Sequence, residues 1–162
     1  MIQGSVDTPD LAFSVAVSGS HAYVADGNSG LQVVDIANPA SPRIVGNVNT
    51  HGYASGVAVS GSYAYVADGA FKVIDIRNSA FPVVVRTIGS QGAWGVAVSG
   101  SYAYVVWTYN GSSGLQVIDI TDPMSPVVVG NLYTNGGRGI AISGSYAYIA
   151  GNSFQVIDIT NP

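Results

Sequence analysis

The apolar positions of this chain fall in short runs of about five residues, each bounded by Gly, Pro, Asn, Asp or Ser. None follows a helical period. Runs rich in Val, Ile and Tyr with turn residues on both sides predict strands, with a turn every eight to twelve residues. In segments such as "VAVSGSYAYVAD" both parities are apolar or small. That pattern predicts strands packed on both faces rather than a sheet with one wet side.

The runs recur. Ser-Gly-Ser begins at Ser18, Ser60, Ser99 and Ser143, spacings of 42, 39 and 44 residues. After it come "HAYVAD", "YAYVAD", "YAYVVW" and "YAYIAG", and then "LQVVDI", "FKVIDI", "LQVIDI" and "FQVIDI". A turn follows ("ANPASP", "TDPMSP"), and then a further strand such as "RIVGNVNT". Four short strands in a repeat of about forty residues predict an all-β propeller of four tandem four-stranded blades. The chain reads as a single propeller or half-propeller domain over 1–162, with repeats near 1–42, 43–84, 85–126 and 127–162. Gly in Ser-Gly-Ser supplies a positive φ for a hairpin turn, and Asp68-Gly69 is a two-residue hairpin signal of the same kind.

The phase of the repeat adds an expectation about assembly. Shifted by 42 residues, Ile2, Gly4, Val6 and Thr8 fall on Ile44, Gly46, Val48 and Thr50, so residues 2–8 read as a fourth strand. "FQVIDITNP" reads as a third strand whose edge, at Val156, Ile157 and Ile159, needs covering. One blade is then split between the two ends, and residues 2–8 cover that edge in the same chain, in a second chain, or head to tail in a filament. Four blades splay about 90° apart and eight about 45°. Inner strands reading Val-Ala-Val and Ile-Ala-Ile suit the narrower angle, so the expected partner is a second copy, two chains forming an eight-bladed ring.

Composition removes several function classes. Charged residues are 9% of the chain and the net charge is −4. The five cations, Arg43, Lys72, Arg77, Arg86 and Arg138, are scattered, which argues against nucleic acid. Cysteine is absent, so there is neither a disulfide framework nor a thiolate metal site. No run of eighteen apolar residues is present for a membrane span, and no segment reads as a signal peptide. A surface of Ser, Gly, Asn, Thr and Tyr with no Glu points to an extracellular or cell-surface protein. His21 takes the place of a repeated Tyr, and no nucleophile elbow, paired Glu or phosphate loop occurs. The expectation is a non-enzymatic structural or interaction module without cofactor or metal.

The repeated aspartates Asp35, Asp75, Asp119 and Asp158 precede turns and read as acceptors for backbone N–H groups, not as a metal ring. "DGNSG" from Asp26 has a fragment of a calcium-loop pattern without its terminal acid. The loops that vary between copies lie on one propeller face. One equivalent position holds Phe13, Ser55, Trp94 and Arg138, with His51, Tyr53, Gln91 and Asn135 nearby. A second set holds Asp26, Asn28, Asp68, Trp107, Tyr109 and Asn152. Aromatic rings beside amides and charges suit a glycan or a peptide.

"GLQVIDITDPMSPVVVG" at Gly114–Gly130, and "GLQVVDIANPASPRIVG" in the first copy, resemble the LVIVD-repeat family of β-propellers. The second copy departs at "RNSAFP". The resemblance covers essentially the whole chain. It implies a propeller, commonly a surface or secreted one, and no single activity.

Overall fold

The computed structural model describes residues 1–161, apart from the side chains of Ser90 and Gln91. Gln91, grouped above with the variable loops, therefore lies outside the described side chains. Every described element is a strand and every pairing is antiparallel. Blade 1 is β1 (Ser14–Ser18), β2 (His21–Ala25), β3 (Leu31–Asp35) and β4 (Arg43–Val48), hydrogen-bonded in that order. Blade 2 is β5 (Gly56–Ser60), β6 (Tyr63–Ala67), β7 (Gly69–Asp75) and the first part of β8 (Val83–Ser99). The rest of β8 turns inward and opens blade 3, followed by β9 (Tyr102–Tyr109), β10 (Ser112–Asp119) and β11 (Val127–Tyr133). Blade 4 has three described strands: β12 (Gly139–Ser143), β13 (Tyr146–Ala150) and β14 (Phe154–Asp158).

Local chemistry repeats with the sequence. Each Ser-Gly-Ser is a two-residue hairpin turn whose glycine has φ near +57° (Gly19, Gly61, Gly100 and Gly144). Positive φ at the first turn residue alone is the type II′ pattern, which matches strand twist. Each outer strand carries a bulge at one place, skipping Val45, Val85 and Val129 between paired residues. Asp68-Gly69 does turn the chain, but through three residues: Ala67 pairs with Phe71, and Asp68 N–H donates to the Ala70 carbonyl. The segment "WTYNGSSG", which holds the expected loop residues Trp107 and Tyr109, is instead the extension of the β9–β10 hairpin around Asn110 (φ 49°) and Gly111 (φ 79°).

Both strand faces are used, as the blurred alternation predicts. Tyr23, Leu31 and Val33 of blade 1 pack on Val57, Val66, Ile74 and Ile76 of blade 2. Tyr65, Phe71 and Val73 of blade 2 pack on Val96, Val105, Ile118 and Ile120 of blade 3. Tyr104, Leu115 and Val117 of blade 3 pack on Ala147, Ile149 and Ile159 of blade 4. One recipe builds all three interfaces: a Tyr-Leu/Phe-Val face meets a Val/Ile face, each fully buried aliphatic contributing about 1.5–3 kcal/mol.

The two outermost faces of the series lack a blade. The Val/Ile-type face of blade 1 leaves Val15 at 61% and Val17 at 63% exposure. The Tyr-Phe-Val face of blade 4 leaves Phe154 at 71% and Val156 at 52%. Ile157 and Ile159 point the other way, into the interface with blade 3. Of the three residues expected at the open edge, only Val156 therefore presents its side chain there. Residues 2–8 form no strand and do not pair with β14. Gly4, Ser5, Val6 and Thr8 instead run beside Val15, Val24 and Val34 on the open face of blade 1. The covering of β14 within the same chain, expected as one closure, is absent from this arrangement.

Candidate functional site

The inner strands bring the variable positions together. Phe13, Ser55 and Arg138 line a cavity of about 180 Å³ where the inner strands come together. Trp94 joins them because it is the extra residue of a bulge in β8: Ala93 pairs with Trp107 and Gly95 with Val106. A bulge re-aims the side chain it carries. The Arg138 guanidinium then lies over the indole, 5.0 Å from its centroid. Gly95 allows this approach, since a Cβ there would sit 2.5 Å from the Arg138 carbonyl oxygen. Ser55 Oγ donates to the Trp94 carbonyl at 2.8 Å, tying blade 2 to blade 3.

Tyr53 packs edge-on against Phe13 (5.1 Å) and lines a second cavity of about 210 Å³ with Trp94 and Thr108. Thr108 also lines a third cavity, about 470 Å³, between blades 3 and 4. Ser113, Gly136, Gly137, Arg138 and Asn152 complete most of its wall. Thr108, Ser113 and the 136–137 glycines were not among the residues singled out by sequence. Their signal was weak, because Ser, Thr and Gly fill every turn of this chain.

The other expected residues sit apart. Trp107 packs against Tyr133 (5.9 Å) and its Nε1–H donates to Asn131 Oδ1 at 3.3 Å, on the outer side of blade 3. Tyr109 is exposed near the tip of the β9–β10 hairpin. His51 is exposed with φ 60°, its N–H donating to Asn49 Oδ1 at 2.7 Å. Asn135 is held by its N–H to Gln155 Oε1 at 3.1 Å.

Asp26 and Asp68 occupy equivalent, buried places at the ends of β2 and β6. Asp26 Oδ2 accepts the Asp10 N–H at 3.2 Å, while Asp10 Oδ2 accepts the Asn28 backbone and side-chain N–H groups at 2.8 and 2.9 Å. Those Asn28 bonds and the backbone around Leu11 hold the Asp10 carboxyl below its ordinary range. Burial pushes the Asp68 carboxyl up, opposed by the Ala70 N–H and by Lys72 Nζ at 3.7 Å. No group of three or more His, Asp or Glu side chains converges among the described residues. Asp35, Asp75, Asp119 and Asp158 each accept the N–H two residues on, at 2.8–3.0 Å, so their carboxylates are occupied by their own turns.

Antiparallel sheets packed in series, with variable residues gathered where their inner strands begin, define a β-propeller-like repeat protein. The chain belongs to the LVIVD repeat family, matched over residues 11–50, 51–88, 91–134 and 137–162. No curated protein matches the sequence. Among solved structures it resembles the computationally designed Ika4 protein at 11% identity, TM-score 0.71 and 94% coverage of both chains. It also resembles the AfRom2 CNH domain (12% identity, TM-score 0.61, 93% of this chain and 53% of that one). A third is the N-terminal domain of Nup159 (12%, 0.54, 92% and 48%). The chain thus spans about half the length of the last two. At these identities the likeness is one of fold.

Proposed function

We propose that this chain is a non-enzymatic structural and protein-interaction module that assembles with a second copy of itself. In this reading, residues 2–8 of each copy supply the fourth strand to β12–β14 of the other. The observation that carries it is the seat of Gly4. A Cβ on Gly46, in β4, would collide with the Ser79 carbonyl and crowd Ala80 in the turn of blade 2. A Cβ on Gly4 would sit 2.5 Å from the Pro39 carbonyl and 2.9 Å from Ala40, the matching turn of blade 1. Farther on, Gly52 abuts Asp68 as Asp10 meets Asp26. Residues 4–10 therefore follow the same path on blade 1 as 46–52 follow on blade 2. They occupy the place of the outer strand of a preceding blade.

That place needs three inner strands with a Tyr-Phe-Val face, and blade 4 offers them. Tyr148 and Phe154 stack at 6.2 Å, much as Tyr65 and Phe71 do at 5.8 Å inside the chain. Joining the two open faces reciprocally gives a two-chain, eight-bladed ring. The small residues Ala16, Ala58, Ala97 and Ala141 on the inner strands favour its narrow blade angle over a four-bladed closure. An extracellular or cell-surface setting fits the hydroxyl- and amide-rich surface and is part of the same proposal.

Light scattering at micromolar concentration should give about twice the 16.5 kDa chain mass. A single-chain mass would sink the two-copy ring, and a mass that climbs with concentration would replace it by a filament. Deleting residues 1–8, or changing Gly4→Val, should abolish the larger species.

A further inference from the structure

We infer that the cavity between blades 3 and 4 binds a carboxylate-bearing sugar, a uronate, with Arg138 as the carboxylate anchor. Of the five cations, Arg43, Lys72 and Arg77 each pair with an aspartate, while Arg86 and Arg138 have no carboxylate partner among the described residues; of these two, Arg138 lines the cavity. It lies over Trp94, 5.0 Å from the ring centroid, and its guanidinium makes no salt bridge among the described residues. A planar fork held in this way matches a carboxylate in bidentate fashion.

The rest of the wall suits a polyhydroxylated body. The cavity of about 470 Å³ is within the size range of small-ligand sites, about 300–1,000 Å³. On its wall Thr108 Oγ1 donates to the Gly137 carbonyl at 3.4 Å and bonds Ser113 Oγ at 3.0 Å, which leaves the Ser113 oxygen to accept from a sugar hydroxyl. The backbone N–H groups of Gly136, Gly137 and Asn152, on the blade 4 part of the wall, donate to no acceptor among the described residues. Next to Thr108 the Trp94–Tyr53 cavity adds exposed ring surface for a sugar face. A peptide is the poorer fit, because recognition of an extended chain uses an open strand edge, and β9, β10 and β13 at this cavity are each paired on both sides.

The main cavity is built by two consecutive blades of one chain, so it exists whether the chain is alone, closed or paired. Its success or failure is therefore separable from that of the assembly. Titration calorimetry on the intact chain, with galacturonate and glucuronate against galactose and glucose, reads it directly. Saturable binding of a uronate is expected, at least tenfold tighter than its neutral counterpart. Arg138→Gln should weaken it at least tenfold and Arg138→Lys by less, with the melting temperature unchanged. In NMR titration the Gly136, Gly137 and Asn152 amides should shift most.

No saturable uronate binding at millimolar concentration overturns the inference. So does equal affinity for neutral sugars, unchanged affinity in Arg138→Gln, tighter binding of a short acidic peptide, or shifts centred elsewhere. Light scattering on the same samples keeps the two proposals apart: a monomer that binds uronate removes the ring and leaves this site standing.

Discussion

A carboxylate placed two residues before a turn amide recurs in every blade, and its chemistry is set locally. Thr121 and Thr160 hold Asp119 and Asp158 below the ordinary carboxyl value by side-chain and then backbone hydrogen bonds. The Ala37 N–H and then Arg43 do the same for Asp35, and the Arg77 side chain does so for Asp75. Groups lowered in the fold stabilise it above their ordinary pKa of 3.8 and lose that contribution as pH falls through the lowered value. Asp68 acts in the opposite sense. Burial raises it, so it favours folding at low pH and loses that contribution as pH rises past 3.8 toward its raised value. Asp68→Asn retains an acceptor for the Ala70 N–H. The melting temperature of this variant relative to the parent should therefore be higher at pH 7 than at pH 4. The same comparison for Asp119→Asn should run the other way. The turn aspartates were legible in sequence because each needs only its own next two residues. The burial of Asp68 was not, because Gly52, sixteen residues earlier in the connection between blades, packs against it.

Elements in this chain are held by two different demands on glycine, and substitution separates them. Gly100 has φ +57° and open space where a Cβ would go. Gly100→Ala should then cost about 1–2 kcal/mol in urea unfolding, from backbone conformation alone. Gly46 has no such φ but abuts the Ser79 carbonyl. Gly46→Ala should cost about 1–3 kcal/mol through overpacking. Asn in place of Gly100 should recover part of the loss, since Asn tolerates positive φ, whereas Asn at 46 should be worse than Ala. In the blade 2–3 core, Phe71 is buried and stacked on Tyr65, so Phe71→Ala should cost about 3–5 kcal/mol by the same measurement. Strand positions were readable from turn residues and β-branched runs. The Asn110-Gly111 hairpin was missed although Asn-Gly is a strong signal, because the polar "TYNGSS" around it lacks the apolar pattern of a buried strand. The bulge that aims Trp94 had no sequence mark beyond the neighbouring glycine.

At the scale of the molecule, the proposed ring joins the two open faces in the way the three internal interfaces are joined. Val156, half exposed on the open face of blade 4, offers a test that spares the folded core. Val156→Asp should reduce the assembled species to single-chain mass by light scattering while leaving the melting of the chain nearly unchanged. Ile157→Asp, on the face toward blade 3, should instead lower the melting temperature sharply. The sequence by itself determined the strand order, the four-fold repeat, the Ser-Gly-Ser hairpin turns and the use of both blade faces. Those properties follow from side-chain period and turn chemistry within a few residues. Only the tertiary structure decided which variable residues meet. It stacked Arg138 on Trp94, 44 positions apart in the chain. It set Trp107 on the outside of its blade, and it laid residues 2–8 along blade 1 instead of on β14. Each of these depends on a bulge, a close glycine approach or the packing of one blade on the next. Contacts of that kind form between segments whose sequences carry no record of each other.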